Sequence, residues 1–527
     1  MDIKKNPLKT YLISLLIFLA ICAGYYFLSL TNTDGHYIYV IDDAYIHLAM
    51  AKNFAMHDVW GVTKYKFSSS SSSPLFTFLI AVLIRIFGND DLIPLYFNFV
   101  FSGGIIFILN KFYSKIFSSD LKVISAVVFT VLFVTLHLQV LTGMEHVFQV
   151  FVFALNVFCF YHFNKSKSAT YGFFATLLFL GLIRFESMFY FVCLGFLFFL
   201  VKNCKYGTAV LFLGFLPIAV FCVFNHSQSG YWFPNSVVVK GTAVHFDENF
   251  FKELIKIVDY KLISSNSLYK IGLFPVLISG WFIFKDRRKS FDELLKQNFM
   301  LIVLSCTFIL HCLFAETKSM FRYEAYILTG FSMAIFERIS RDFVFSDFLT
   351  LKKVLITGFL LVNFVLMCYK TFISHKMLAF GNKNIYEQQF QSARFLHTYY
   401  NDAKVVANDI GAVTYFTDIH LLDIVGLGSS ETIPFNGNEV TFDSRFKNFL
   451  TEYTAAQKFD VAIVYDHWFN GQIPDTWQKA AELTISDNVN VAGSTVSVYS
   501  LDGGDLHTLK TNIRNFRWNK NVQVQMK

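Results

Sequence analysis

The sequence predicts a polytopic α-helical membrane protein that ends in a small α/β domain, and three observations carry this. Hydrophobic residues make up 54% of the 527 positions and charged residues only 16%, with a mean hydropathy of +0.46. A soluble surface needs about a quarter charged residues to stay solvated. The apolar residues are clumped over the first 370 or so positions, in runs of about 15 to 25, the length a bilayer-crossing helix requires. After position 372 the runs give way to a polar tail with short β-type stretches. This composition excludes a disordered chain, a fibrous repeat, a disulfide-stapled secreted scaffold and a nucleic-acid reader.

Charge divides the chain the same way. Residues 373–527 hold 13 Lys/Arg and 16 Asp/Glu, which leaves 32 basic and 22 acidic residues to positions 1–372. The basic excess therefore belongs to the membrane part, where loop charge reports orientation and not a polyanionic partner. The first apolar run, 11–30, follows Lys4, Lys5 and Lys9 and reads as a retained helix, being long enough to span and lacking an evident cleavage site. Further spans are expected at 92–112, 122–142, 146–162, 170–184, 187–201, 208–225, 269–284, 298–315, 323–337 and 354–372. The apolar segment 74–87 is short and carries Arg85. Treated as a helix lying at the interface, it lets every basic loop fall on one side. Those loops hold Lys111, Lys115 and Lys122; Lys165 and Lys167; Lys202 and Lys205; Lys285 to Lys289; and Arg338, Arg341, Lys352 and Lys353. About eleven spans then leave the N-terminus in the cytoplasm and the tail outside.

Residues 1–372 are thus expected to form a transmembrane domain and 373–527 an extracytoplasmic α/β domain. Strands are expected at 404–408, 421–425, 461–465 and 489–499, punctuated by Gly411, Gly426, Gly428 and Gly437. All eight Cys precede position 369, so the tail has no disulfides. The run Ser68–Ser73 is low in complexity and reads as a plain linker by composition alone.

Ionisable residues gather at the predicted outer tips. The first outer loop carries Ile41-Asp42-Asp43-Ala44-Tyr45-Ile46-His47. Adjacent carboxylates there either cap an interfacial helix, with Asp42 as N-cap, or form a functional pair in which one pKa is raised. The later tips carry Gly143-Met144-Glu145-His146, Arg184-Phe185-Glu186, Pro234-Asn235-Ser236 with Lys240, and Lys318 with Phe321-Arg322-Tyr323-Glu324. Singly, each suits an interfacial anchor or a helix-end ion pair, and Arg184 and Arg322 suit snorkelling to headgroups. Together they suggest one polar cavity, with cations for a lipid-linked phosphate and carboxylates for deprotonating a hydroxyl.

This order of motifs resembles the GT-C membrane glycosyltransferases, most closely bacterial relatives of the mycobacterial terminal arabinofuranosyltransferases. The resemblance rests on Asp42-Asp43-Ala44-Tyr45-Ile46, Ser72-Ser73-Pro74-Leu75, the later tips just given, and two tail stretches. These are Asn408-Asp409-Ile410-Gly411-Ala412 and Leu422-Asp423-Ile424-Val425-Gly426-Leu427. It covers about residues 1–430. Two departures stand out: Phe185 occupies the place of the family's usual proline, and a serine run replaces its Gly-Thr-rich segment.

The resemblance implies a transferase in the bacterial cytoplasmic membrane that takes a hexosyl or pentosyl group from a polyprenyl-phosphate sugar. The acceptor would be an envelope glycan, lipid or glycoprotein on the outer face. Asp42, with Asp43 beside it, maps onto the family's catalytic base, and Arg184, Lys240 and Arg322 would hold the leaving phosphate. Glu145, Glu186, Asn235, Tyr323 and His47 would touch substrate or orient those groups. Asn408, Asp409 and Asp423 would stabilise turns in the outer domain. A divalent cation (Mg²⁺, Ca²⁺ or Mn²⁺) on Asp42 and Asp43 stays open, whereas no Cys/His spacing argues for zinc. Two other classes remain in play: a repeat-unit polymerase, which gathers its arginines in one late loop, and a transporter, which shows repeated halves and mid-membrane charges. The sugar, the acceptor, the stereochemical outcome and the oligomeric state are left open.

Overall fold

The computed structural model describes residues 6–241, 250–260, 273–315, 320–342, 354–435 and 442–527. Lys4, Lys5, Lys318, Lys352, Lys353 and Gly437 lie outside the described residues, as does the start of the expected span 269–284.

A helix stands at each of the eleven expected segments: Pro7–Asn32, Ile93–Ile116, Asp120–Phe133 with Leu136–Leu141, His146–Tyr161, Lys167–Ile183, Ser187–Leu200, Cys204–Ser229, Leu273–Lys285, Phe299–Phe314, Ala325–Asp342 and Val354–Ile385. The third segment is broken where Thr135 takes a left-handed conformation, φ 51°. Among the described residues four helices are long and apolar enough to cross a membrane unaided: Pro7–Asn32, Ile93–Ile116, Cys204–Ser229 and Val354–Tyr399. The bent pair Phe291–Gln297 and Phe299–Phe314, at 75°, makes a fifth if taken as one span. Several others have 14 to 17 residues, roughly 21–26 Å at 1.5 Å per residue and short of a core of about 30 Å.

The first outer loop adds two helices, α2 (Asp43–His57) and α3 (Pro74–Phe87, with Pro74 opening its first turn). The serine run between them is not a linker. Ser68, Ser69, Ser70, Ser71 and Ser73 are all buried, and the hydroxyls of Ser68, Ser70 and Ser71 hydrogen-bond within the fold.

The loops that charge grouped together also lie together. At one end Lys115 Nζ meets His162 Nε2 at 2.6 Å, Tyr206 Oη meets Asn164 Oδ1 at 3.2 Å, and Lys285 pairs with Asp342 at 2.9 Å. The ionisable tips occupy the opposite end.

The helix from Val354 does not stop at 372. It runs through Ile385 into a π-helical turn, Tyr386–Phe390, and on to Gln391–Tyr399, so the expected domain boundary falls inside one continuous rod. Beyond it stand six strands: β1 (Lys404–Ala407), β2 (His420–Asp423), β3 (Val461–Val464), β4 (Gln478–Ile485), β5 (Thr495–Ser500) and β6 (Val522–Met526). The sheet order is β2-β1-β3-β5-β4-β6. β1 pairs parallel with both β2 and β3, with Val406 opposite Leu422 and Ala462, and the remaining pairs are antiparallel. β4 and β6 were not expected. Gln478-Lys479-Ala480-Ala481-Glu482 carries helix formers, and pairing on both edges overrides that preference. The expected strand at 489–499 begins only at Thr495. Before it, Asn490 Nδ2 donates to the Val40 carbonyl of the first outer loop.

Candidate active site

The tips converge on a cavity of about 900 Å³ that is open at its mouth. Its wall includes Asp43, Arg184, Glu186, Lys240, Arg322 and Tyr323, with His47, Ser72 and Leu427 completing it.

Arg322 is its most telling cation. The side chain is only 4% exposed, and its Nη2 donates to Asp43 Oδ2 at 2.8 Å and to Tyr323 Oη at 3.0 Å. Its Nε and Nη1, both buried, have no acceptor among the described residues. Buried guanidinium donors rarely go unmatched, so this edge is set up for an anion. The backbone presenting it is strained: Met320 and Phe321 are both left-handed, φ 57° and 55°, a conformation costing roughly 1–2 kcal/mol per residue. Two tethers hold the turn. Gln139 Nε2 donates to the Met320 carbonyl at 3.0 Å, and buried Glu324 pairs with buried Lys370 at 3.5 Å. Neither tether was read from sequence. Lys370, a lone charge in the apolar run 354–372, was the available signal.

Arg184 is differently placed. Its Nη1 donates to Glu145 Oε1 at 2.6 Å and Ser72 Oγ at 2.9 Å, while Nε and Nη2 grip both oxygens of Glu186. The guanidinium stands 5.0 Å from the Tyr323 ring centre. Arg184 is thus a neutralised strut with its charge already spent on two carboxylates. Glu145 is fully buried and also stands 3.2 Å from His47 Nε2. On its other side His47 Nδ1 meets Ser71 Oγ and Thr77 Oγ1, each at 3.0 Å. Asn235 ties the wall to the tail: its backbone N donates to the Ser69 carbonyl at 2.8 Å, and its Nδ2 to the Leu427 carbonyl at 3.1 Å. Lys240 is exposed at the cavity, at the end of the short helix Asn235–Lys240.

The two first-loop carboxylates face different ways. Burial pushes the Asp43 carboxyl up, but Lys240 and Arg322 outweigh it and hold the group well below the usual range, so it is ionised. Asp42 does not line the cavity, nor does it cap α2. Its Oδ2 and Oδ1 accept the backbone N–H groups of Gly411 and Ala412, at 2.7 and 2.8 Å. Burial and the nearby Asp409 push it up to about 7, against the lowering pull of those two donors. The cation left open on this pair finds no shared position on it. Asp42 is turned to the tail backbone and Asp43 to Arg322, and among the described residues no group of three His, Cys, Asp or Glu converges.

In the tail, Asp423 holds a turn as expected, accepting the N–H groups of Val425 and Gly428, whereas Asn408 Oδ1 reaches across the sheet to accept the Tyr465 N–H at 3.0 Å. Asp409 instead meets Gln389 and Tyr465.

A family model described as a domain of unknown function (DUF8728) matches residues 383–499. No match is found among curated proteins. The crystal structure of ArnT from Cupriavidus metallidurans bound to undecaprenyl phosphate is similar in fold. It is 11% identical with a TM-score of 0.50, over 92% of this chain and 97% of that one. The apo state of the same protein gives 10% identity and a TM-score of 0.48 over the same shares. The likeness to the first of these runs through both the helical part and the sheet, and with the long apolar helices it describes a polytopic helical membrane protein.

Proposed function

We propose that the chain is a glycosyltransferase of the GT-C type that moves a sugar from a polyprenyl phosphate to an acceptor hydroxyl on the outer face of the bacterial cytoplasmic membrane. The observation that carries this is the buried edge of Arg322, with two unmatched donor atoms in a cavity shared with Lys240 and the Asp43 carboxylate. A lipid phosphate is the anion that suits an enclosed basic pocket at membrane depth. The fold of the undecaprenyl phosphate-bound ArnT supports the same donor class. In this reading eleven segments cross the bilayer, the basic loops lie in the cytoplasm, and residues 373–527 lie outside. The acceptor is an envelope glycan or lipid.

The reaction asks little of the protein beyond position and charge. The donor's phosphate sits against Arg322 and Lys240, and the acceptor oxygen attacks the anomeric carbon as the phosphate leaves with the bonding pair. The acceptor's proton passes to a carboxylate. Of the first-loop pair we assign that role to Asp43, because a base must reach the reacting hydroxyl before its pKa matters. Held low by two cations, Asp43 is a weak base at rest. A bound phosphate takes over part of the charge of Arg322 and Lys240 and so raises its proton affinity, coupling donor occupancy to base strength. Arg184, already matched by Glu145 and Glu186, orients the wall and leaves the phosphate to the other two.

The test supplies protein in lipid nanodiscs with a panel of polyprenyl-phosphate sugars and envelope acceptors and follows polyprenyl phosphate release by mass spectrometry. Asp43→Asn should slow release by about 10²–10⁴-fold, the usual contribution of general-base catalysis, with undecaprenyl phosphate still bound. Release that survives Asp43→Asn but collapses in Asp42→Asn would transfer the base to Asp42. Absence of any undecaprenyl phosphate binding would remove the donor class.

A further inference from the structure

The tail sheet has a crevice of its own. From β1 the chain turns to β2 on one side, and it returns to β3 on the other. The carboxyl ends of β1 and β3 are therefore a topological switch point, where open α/β sheets bind ligands. Asn408 and Asp409 follow β1 directly, and Tyr465 follows β3. The π-helical turn Tyr386–Phe390 closes the crevice from above, a local distortion that is frequent at functional sites.

The polar groups there are arranged but not all used. Asp409 Oδ2 accepts from Gln389 Nε2 at 2.7 Å and from Tyr465 Oη at 2.8 Å. Tyr465 Oη also meets Gln388 Oε1. Gln389 is 4% exposed and lines the crevice, and its Oε1 is buried with no donor. An amide oxygen buried without a partner is costly, so the turn holds in place an acceptor atom that a ligand can match. The crevice has room for little more than one water-sized group, which suits a single hydroxyl at the edge of a ring and not the ring itself.

The acceptor atoms select the ligand. Asp42 and Asp43 stand near enough to influence one another and Asp409, as does Lys240, and burial pushes the Asp42 and Asp409 carboxyls up, so the crevice is rich in acceptor atoms. It suits a neutral group that donates hydrogen bonds. It also lies beside the first cavity, since Asp42 is clasped by Gly411 and Ala412 two residues beyond Asp409.

We propose that the crevice between the turn Tyr386–Phe390 and the carboxyl ends of β1 and β3 is an acceptor subsite. It takes the hydroxyl edge of a neutral sugar ring, with Gln389 and Asp409 as hydrogen-bond acceptors. This rests on the transferase reading, in which the anionic donor occupies the basic cavity and the neutral acceptor the acidic crevice next to it.

The test uses the full chain in nanodiscs and a panel of methyl glycosides (gluco-, galacto-, manno- and arabinofuranosides), read by saturation-transfer difference NMR. Undecaprenyl phosphate binding is measured in parallel by thermal shift. At least one methyl glycoside should bind, and Gln389→Leu should weaken it tenfold or more while undecaprenyl phosphate still shifts the melting temperature. Gln389→Glu, which keeps the shape, guards against misfolding and should also bind less well because its carboxylate can no longer donate to Asp409. The subsite is overturned if no glycoside binds, or if binding is equal in the intact chain and in folded Gln389→Leu and Asp409→Asn. Failure of undecaprenyl phosphate to bind while a glycoside does would instead remove the donor reading and leave the subsite standing.

Discussion

Arg322 and Asp42 are each tuned by residues from other parts of the chain. Arg322 keeps two donor atoms unmatched because its turn is locked by Gln139 and by the Glu324–Lys370 pair. A charge-assisted hydrogen bond contributes about 1.5–3 kcal/mol. Arg322→Gln should therefore weaken undecaprenyl phosphate binding by about 10- to 100-fold, measured by thermal shift in nanodiscs, and an unchanged affinity would move the phosphate elsewhere. Asp42 makes a prediction about pH. Its carboxyl titrates near 7 in the fold because of burial and Asp409, against about 3.9 in an unfolded chain. A carboxyl with a raised folded pKa binds its proton more tightly when folded. The stability it lends is complete below about pH 4 and is lost as pH rises through about 7. Melting temperature should fall across that window in the intact protein, and Asp42→Asn should flatten the slope. Identical slopes would mean that the carboxyl does not titrate there.

The first outer loop and the helix Gly411–Tyr415 meet at a contact that only glycine permits. A Cβ on Gly411 would lie 2.1 Å from the Asp42 carbonyl oxygen and 2.8 Å from its Oδ2. Gly411→Ala should force the two apart at a cost of roughly 1–3 kcal/mol. Amide exchange at residues 40–45 should quicken while that of the distant strand β4 stays unchanged. Exchange unaltered at both places would show that the contact carries no load. What sequence could read here follows from the range of the forces. Helices declare themselves through local apolar runs, and the ionisable tips through their position at the ends of those runs, so Asp43, Arg184, Lys240 and Arg322 were all found before any geometry. The direction in which Asp42 points depends on residues 411 and 412, about 370 positions away, and neighbouring positions alone carry no trace of it. The serine run misled for a related reason: a hydroxyl-rich stretch has the composition of a linker whether or not His47 and Thr77 wait to receive it. β4 was missed because strand pairing, and not local preference, decides its state.

At the scale of the molecule, the ionisable tips and the sheet share one end and the basic loops the other. If that end is the outer one, Arg445→Cys, whose side chain is exposed on the tail, should be labelled by an impermeant maleimide in intact spheroplasts. Lys296→Cys, exposed at the opposite end, should be labelled only after permeabilisation. The reverse pattern would invert the topology and remove the outer-face acceptor. The polytopic helical fold was legible from the apolar runs along the chain. The joining of membrane part and tail was not, because it rests on contacts between residues more than 300 positions apart, such as Asn490 to Val40 and Asp42 to Gly411. Those bonds have a bearing on how such chains can be recombined. A graft that exchanges the tail alone inherits a foreign partner for Asp42, so a working hybrid has to carry the first loop and the tail from the same parent, even though more than 300 residues of helix separate them in the gene.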